Sequence, residues 1–242
     1  MPILVRALGA VLAVCACTTA AAQACQAARS ATTLTTVLEL YTSEGCSSCP
    51  PADRWLSGLK QAAAEGRVVA QAFHVAYWDS LGWIDRFAAP AHTARQRQIA
   101  AANGRSGIYT PQLVRNGRDW RDYTSALAQK AEPPGVAIGL RRGQTDVFEA
   151  VVTPLADAAS WAAYWTVTEH GHSSKVKAGE NAGELLRHDF VVRQYVPVGQ
   201  YRGEQRLQLH AIAADKAHPR QVNLVVFEPK SGKPLQALSL AC

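Results

Sequence analysis

The sequence predicts an α/β fold, a mixed sheet with flanking helices, followed by a β-rich antiparallel domain of sandwich type. Three observations lead there. Strand-like and helix-like segments alternate from Thr35 to Ala131; Pro133-Pro134-Gly135 interrupts them; and beyond that break the chain turns to short, strand-like runs separated by turn residues.

Thr35 to Tyr41 is β-branched and partly alternating, and it stops at the Thr42-Ser43-Glu44-Gly45 turn, so it reads as a strand. Pro50 and Pro51 suit a helix's first turn, where a missing N–H costs nothing, and Trp55, Leu56, Leu59 and Ala63 follow at helical spacing until Gly66. Val68 to Val75 is nearly all apolar, the pattern of a strand covered on both faces. Tyr77 to Trp83 is aromatic and irregular, and Ala91 to Asn103 reads as a helix. Ile108 to Arg115, Asn116-Gly117 and Arg118-Asp119-Trp120 form a hairpin with a strong turn signal. Thr124 is expected to cap a short helix to Ala131. Past the break, Val136–Leu140, Val147–Thr153, Trp161–Thr168, Phe190–Val196, Arg206–Ala213, Val222–Glu228 and Leu235–Leu240 read as strands. The expected domains are therefore 33–132, with an insertion at 78–104, and 135–242.

Arg6, the apolar run Ala7 to Val14 and the small residues ending Ala22-Gln23-Ala24 have the form of a signal peptide, expected at 1–24. Leu12-Ala13-Val14-Cys15 offers a lipoprotein alternative, but Val14 is a poor residue before an acylated cysteine. No later stretch is apolar for the roughly 20 residues that a membrane span needs. The formal net charge of +6 falls by one when Arg6 leaves, and no run of like charges or basic-aromatic interleaving marks a nucleic-acid surface. The expectation is an exported protein, periplasmic or secreted, without nucleic acid as a partner.

Export makes disulfides possible. Cys15 and Cys17 leave with the leader, so Cys25, Cys46, Cys49 and Cys242 remain. Cys46 and Cys49 form one natural pair. The expected second pair is Cys25 with Cys242, a long loop contributing roughly 5 kcal/mol at most by chain entropy; free or intermolecular thiols are the alternative.

Cys46-Ser47-Ser48-Cys49 lies between a strand and a helix, where exposed N–H groups and the helix dipole stabilise a thiolate. Cys46 is the expected nucleophile and Cys49 the resolving thiol. Zinc would need two further ligands, and there is no second CxxC. Thr110-Pro111 begins the next strand, and its X-Pro bond is well placed to be cis and to present backbone to a substrate.

With these motifs the chain resembles the thioredoxin superfamily, although Ser-Ser replaces the Gly-Pro of thioredoxins and the segment between the motifs is longer. More closely, Leu38 to Asp53, Phe73-His74-Val75-Ala76-Tyr77-Trp78-Asp79, Tyr109-Thr110-Pro111-Gln112, Gly179-Glu180-Asn181-Ala182-Gly183 and Val191-Val192-Arg193 resemble a family of secreted bacterial thioredoxin-like proteins catalogued as domain of unknown function 1223. The family pattern has an acidic residue where this chain has Ala76. The resemblance implies a thioredoxin-like fold for 33–132 and an export route, and brings no established activity.

His74 and Asp79 are candidates for a proton relay to Cys49, and Trp78 for a wall of the substrate site. The alternative makes His74 a satisfied core histidine and has Trp78 and Trp83 anchor the insertion. Glu44 and Asp53 read as capping or surface charges. The leading function is a thiol–disulfide oxidoreductase without a cofactor, acting on exported proteins with thiols or disulfides and served by an unknown redox partner. Uncharged Ser47 and Ser48 argue against a very strong oxidant; direction is otherwise open. Two alternatives remain: a copper-handling module with His74 as third ligand, although the only methionine is Met1, and a binding protein in which the 46–49 disulfide is a staple.

Overall fold

The computed structural model describes residues 25–128, 130–155 and 160–242. The leader expected at 1–24 lies outside the described residues. The chain is mostly β-sheet, arranged in several sheets.

The first half supplies β1 (Ala27–Arg29), β2 (Thr36–Thr42), α1 (Pro50–Ser57), α2 (Lys60–Ala64), β3 (Val68–His74), α3 (Pro90–Ala102), β4 (Gln112–Arg115) and β5 (Arg118–Trp120). β2 and β3 run parallel, while β2–β4 and β4–β5 are antiparallel. Every residue of β2 and β3 is buried, as the continuous apolar run of β3 requires. Alternation divides them between two cores: Leu38, Leu40, Ala70 and Ala72 pack with Leu56 and Ala52 of α1, whereas Val37, Tyr41, Val69 and Phe73 pack with Ile99 of α3. The single helix expected over 52–65 is two helices, because Gly58 closes the first turn structure onto Arg54 and Trp55. The helix expected from Thr124 is a 3₁₀ turn, Tyr123–Ser125, capped by Asp122, whose carboxylate accepts from the Thr124 N–H. At the β4–β5 turn Asn116 and Gly117 both take positive φ, 47° and 76°. A Cβ on Gly117 would collide with the Gly232 carbonyl.

The second half supplies β6 (Val136–Arg142), β7 (Val147–Pro154), β8 (Trp161–Glu169), β9 (His172–Lys175), β10 (Leu185–His188), β11 (Val191–Tyr201), β12 (Gln205–His210), β13 (Arg220–Phe227) and β14 (Pro234–Ala241). Strands on the two sides of Pro133-Pro134-Gly135 share one eight-stranded sheet, ordered β14-β13-β8-β11-β3-β2-β4-β5. The joint is a parallel contact of Val191 with Ala72, where the Ala72 N–H donates to the Phe190 carbonyl at 2.8 Å. A buried ionic cluster reinforces it. Arg95 of α3 pairs with Glu39 of β2, and the Tyr164 hydroxyl of β8 donates to the same carboxylate at 2.8 Å.

A four-stranded antiparallel sheet, β1-β6-β7-β12, covers the other end of the large sheet. Ile138, Phe148, Val152 and Leu209 meet Trp161, Trp165, Val222 and Leu224 in the apolar layer between them. Cys25, just before β1, is disulfide-bonded to Cys242, just after β14. β9 and β10 form a separate hairpin, and the loop between them positions the candidate site.

Candidate functional site

β2 delivers the chain into the turn that carries Cys46 and Cys49, and α1 starts at Pro50, so the pair stands where a strand hands over to a helix. Cys46 and Cys49 are disulfide-bonded, with Cα atoms 5.4 Å apart. The Cys49 N–H donates to the Cys46 carbonyl at 3.2 Å, closing the turn between them. Both residues are buried, Cys46 at 1 % exposure and Cys49 at 0 %. The hydroxyl of Ser48 is 3.3 Å from the Cys46 Sγ.

The Thr110–Pro111 bond is cis. Pro111 and Tyr123 face Ser48, Pro51, Ala52 and Trp55 across a groove of about 310 Å³ beside the cysteine turn. Trp78, at the end of the same region, donates its indole N–H to the Thr110 hydroxyl at 2.8 Å. Its Cβ also packs on Gly45, where an added Cβ would come within 3.0 Å of it. Trp78 therefore bridges the residue before Cys46 and the residue before Pro111.

Beneath the turn lies a buried polar cluster. Glu44 and Asp53 are not the capping or surface charges that their place at the helix start suggests: they are 0 % and 6 % exposed. The Glu44 carboxylate accepts from the Trp83 indole at 2.7 Å and lies 3.2 Å from His188 Nε2. Burial pushes its pKa up, but hydrogen bonding to His188 and its neighbours outweighs this and holds it below the ordinary value. Asp53, one turn along α1 from Cys49, accepts from the Thr42 hydroxyl at 3.0 Å, and burial raises its pKa despite His188 and His74 nearby. A small cleft of about 110 Å³ lined by Pro50, Asp53, Arg54 and His188 adjoins it.

His74 ends β3 fully buried, its Nδ1 2.6 Å from Asp85. Burial draws the imidazole towards its neutral form, yet the Asp85 carboxylate, helped by Asp53 and Glu44, more than compensates and raises its pKa. For Asp85 burial again opposes ionisation, and His74 with the Glu44 and Phe87 N–H groups wins, lowering the pKa to about 2. The carboxylate partner of His74 is thus Asp85. Asp79, a candidate for a proton relay to Cys49, accepts from the Asp85 N–H at 3.2 Å. Among the described residues no three His, Cys, Asp or Glu side chains converge as metal ligands.

The β9–β10 loop closes the site from above. The Asn181 amide donates to the carbonyls of Glu44 and Cys46 at 2.8 and 2.9 Å. Glu180 accepts from the N–H and the hydroxyl of Ser47 at 2.9 and 2.8 Å. Both residues belong to the Gly179–Gly183 motif, the one signal in the sequence that marked this distant segment.

A model of the family described as protein of unknown function, DUF1223, matches residues 37–228. The chain belongs to that family. The match takes in the cysteine turn, the cis proline and the Glu180-Asn181 loop together, so the whole site lies within the DUF1223 region. Among solved structures, a structural-genomics protein from Agrobacterium tumefaciens is 28 % identical, with a TM-score of 0.64 over 86 % of this chain and 94 % of its own. HBP35 of Porphyromonas gingivalis is 15 % identical, with a TM-score of 0.59 over 87 % of this chain and 76 % of that one, and shares the fold. No curated protein gives a significant match.

Proposed function

We propose that this DUF1223 protein is an exported thiol–disulfide oxidoreductase, and that residues 33–132 are its thioredoxin-like unit. The observation that carries this reading is the Cys46–Cys49 disulfide at the approach to α1 together with a cis Pro111 that faces Ser48, between the two cysteines, across an apolar groove. Such a groove suits an extended, partly apolar polypeptide next to the disulfide. The Cys25–Cys242 bond supports an oxidising location, where structural disulfides persist.

In exchange, the Cys46 thiolate attacks a substrate disulfide, and Cys49 then displaces the substrate from the mixed disulfide. The resolving thiol must lose its proton inside the protein. Asp53, one turn along α1 and with its pKa raised by burial, is the proposed acceptor, with His188 and His74 near it. His74 thereby acts at one remove from the sulfur, and Asp79 supports the Asp85 loop. Trp78 and Thr110 form the wall beside Pro111. Exported proteins carrying thiols or disulfides are the proposed substrates, with a separate thiol donor or acceptor to reset the pair.

The burial of both sulfurs favours a second reading, a binding protein in which the pair is a staple. One experiment separates the two. Cys49→Ala, expressed in the native compartment, should accumulate proteins disulfide-linked through Cys46 that dissociate on reduction and are absent when Cys46 is also replaced. A complete lack of such adducts, with Cys46 folded but unreactive to alkylation, supports the staple.

A further inference from the structure

We propose that Glu180 is a positioning residue that biases the Cys46–Cys49 couple towards donating electrons, so that the protein reduces substrate disulfides. This rests on the exchange reading above and adds its direction.

Glu180 reaches the turn from the loop between β9 and β10, 133 residues away in sequence. Its Oε2 takes both donors of Ser47, the backbone N–H at 2.9 Å and the hydroxyl at 2.8 Å. Ser47 directly follows the attacking cysteine, and its N–H, beside the Ser48 hydroxyl 3.3 Å from the Cys46 Sγ, is a donor that a Cys46 thiolate could use. The neighbouring amides are engaged: the Cys46 N–H donates to Ser43 and the Cys49 N–H to Cys46. Glu180 replaces that donor with a negative charge. Among the described residues the partners of Glu180 are the two donors of Ser47, with no cation paired to it, so an unpaired charge sits on the residue next to Cys46.

The groups beneath the turn do not reverse this balance. Glu44, Asp53 and Asp85 are three carboxyls facing two imidazoles, His74 and His188. His74 Nδ1 is 2.6 Å from Asp85 and His188 Nε2 3.2 Å from Glu44, so each imidazole faces a carboxylate of the cluster.

The physical consequence follows from which redox form the environment favours. A couple whose thiolate is well stabilised holds on to its electrons and is an oxidant; one whose thiolate is disfavoured gives them up. In the favoured direction the Cys46 thiolate forms a bond to one sulfur of a substrate disulfide, and the other substrate sulfur leaves and takes up a proton. Cys49, losing its own proton, then attacks Cys46 and expels the second substrate thiol. Two electrons pass to the substrate, with one proton from Cys49 and the other, released when Cys46 ionises, returned through solvent, and the Cys46–Cys49 bond forms. A thiol reductant, such as glutathione in the test below, restores the dithiol.

Glu180→Gln keeps an oxygen that can accept from Ser47 and removes only the charge. Equilibrating wild type and E180Q with glutathione buffers at pH 8, and titrating Cys46 by thiolate absorbance at 240 nm, reads the effect directly. For E180Q the Cys46 pKa should fall and the equilibrium constant should shift about threefold towards the dithiol, the scale of one charge at an exposed helix approach. Glu184→Gln, an exposed charge in the same loop, should move neither quantity. Unchanged values for E180Q, or equal shifts for both variants, overturn the proposal. Should E180Q not fold, salt serves in its place: screening an exposed carboxylate lowers the wild-type Cys46 pKa between low and molar salt, and a pKa that does not move overturns the proposal. A wild-type disulfide that never equilibrates with glutathione is a different result, and it rejects the exchange reading itself.

Discussion

Asn181 is tied to Cys46 by a 2.9 Å hydrogen bond from its side-chain amide to the cysteine's carbonyl oxygen, across 135 residues of chain. Its other amide hydrogen goes to Glu44 at 2.8 Å. A single buried side chain thus holds the backbone on either side of Gly45, at the start of the cysteine turn. Asn181→Ala leaves two carbonyls without their donor, and should cost about 1–3 kcal/mol of stability in urea unfolding. In the folded protein it should also make the Cys46–Cys49 disulfide several times faster to reduce with dithiothreitol. An unchanged reduction rate would mean that the loop does not govern access.

Thr110 and Trp78 couple the cis proline to the cysteine turn through a hydrogen bond of 2.8 Å. Thr110→Val keeps the shape and removes the acceptor, so the half-buried indole N–H loses its partner. At about 1 kcal/mol this should raise KM for a protein disulfide roughly fivefold, while reduction of the protein by a small thiol stays at the wild-type rate. Steady-state kinetics with both substrates makes the comparison.

His74 and Asp85 form a fully buried ion pair at 2.6 Å. Asp85 also accepts from the Glu44 N–H at 2.9 Å, so its loss reaches the cysteine turn as well. Asp85→Ala strands a charge-prone imidazole in the interior and should destabilise by about 3–5 kcal/mol. His74→Phe, Asp85→Leu together should recover part of that loss in equilibrium unfolding, because the uncompensated charge is gone.

How much of this was legible in the sequence depends on the range of the contacts. The cysteine turn, the strand before it, the proline after it and the Asn116-Gly117 hairpin are local patterns, and β2, β3, β4 and β5 lie close to where periodicity put them. β9 and β10 were not read, since His-Ser-Ser-Lys and Leu-Leu-Arg-His are short and lack the β-branched alternation of a strand. Asp53 looked exposed because its neighbours Ala52 and Arg54 are compatible with a surface helix, and only the Thr42 hydroxyl and the hairpin bury it. Nothing between Pro133 and Gly135 shows that the strands beyond will join the same sheet; the joint is one backbone contact, Ala72 with Phe190.

His92 is buried beside the His74 carbonyl, with Nδ1 at 2.9 Å. Burial lowers its pKa to about 4, with the bond to the carbonyl only partly offsetting it. Between about pH 6.5 and 4 the unfolded chain therefore binds a proton that the folded chain refuses, and stability falls as pH falls. The contribution present above pH 6.5 and lost by pH 4 is on the order of 3 kcal/mol. His74 acts in the opposite sense at higher pH: its raised pKa adds stability that is full below pH 6.5 and disappears as pH rises through the folded value. His92→Gln should flatten the acid limb in urea titrations at pH 4 to 7 and leave the alkaline side unchanged.

The exchange activity of Cys46 and Cys49 is the claim on which the rest depends, and reduction of insulin by a thiol donor tests it most directly. Wild-type protein should accelerate insulin precipitation well above the donor alone, and Cys46→Ser should return it to the background rate. Wild type and Cys46→Ser both at background, with the 46–49 pair shown to be reduced by the donor, would contradict the account.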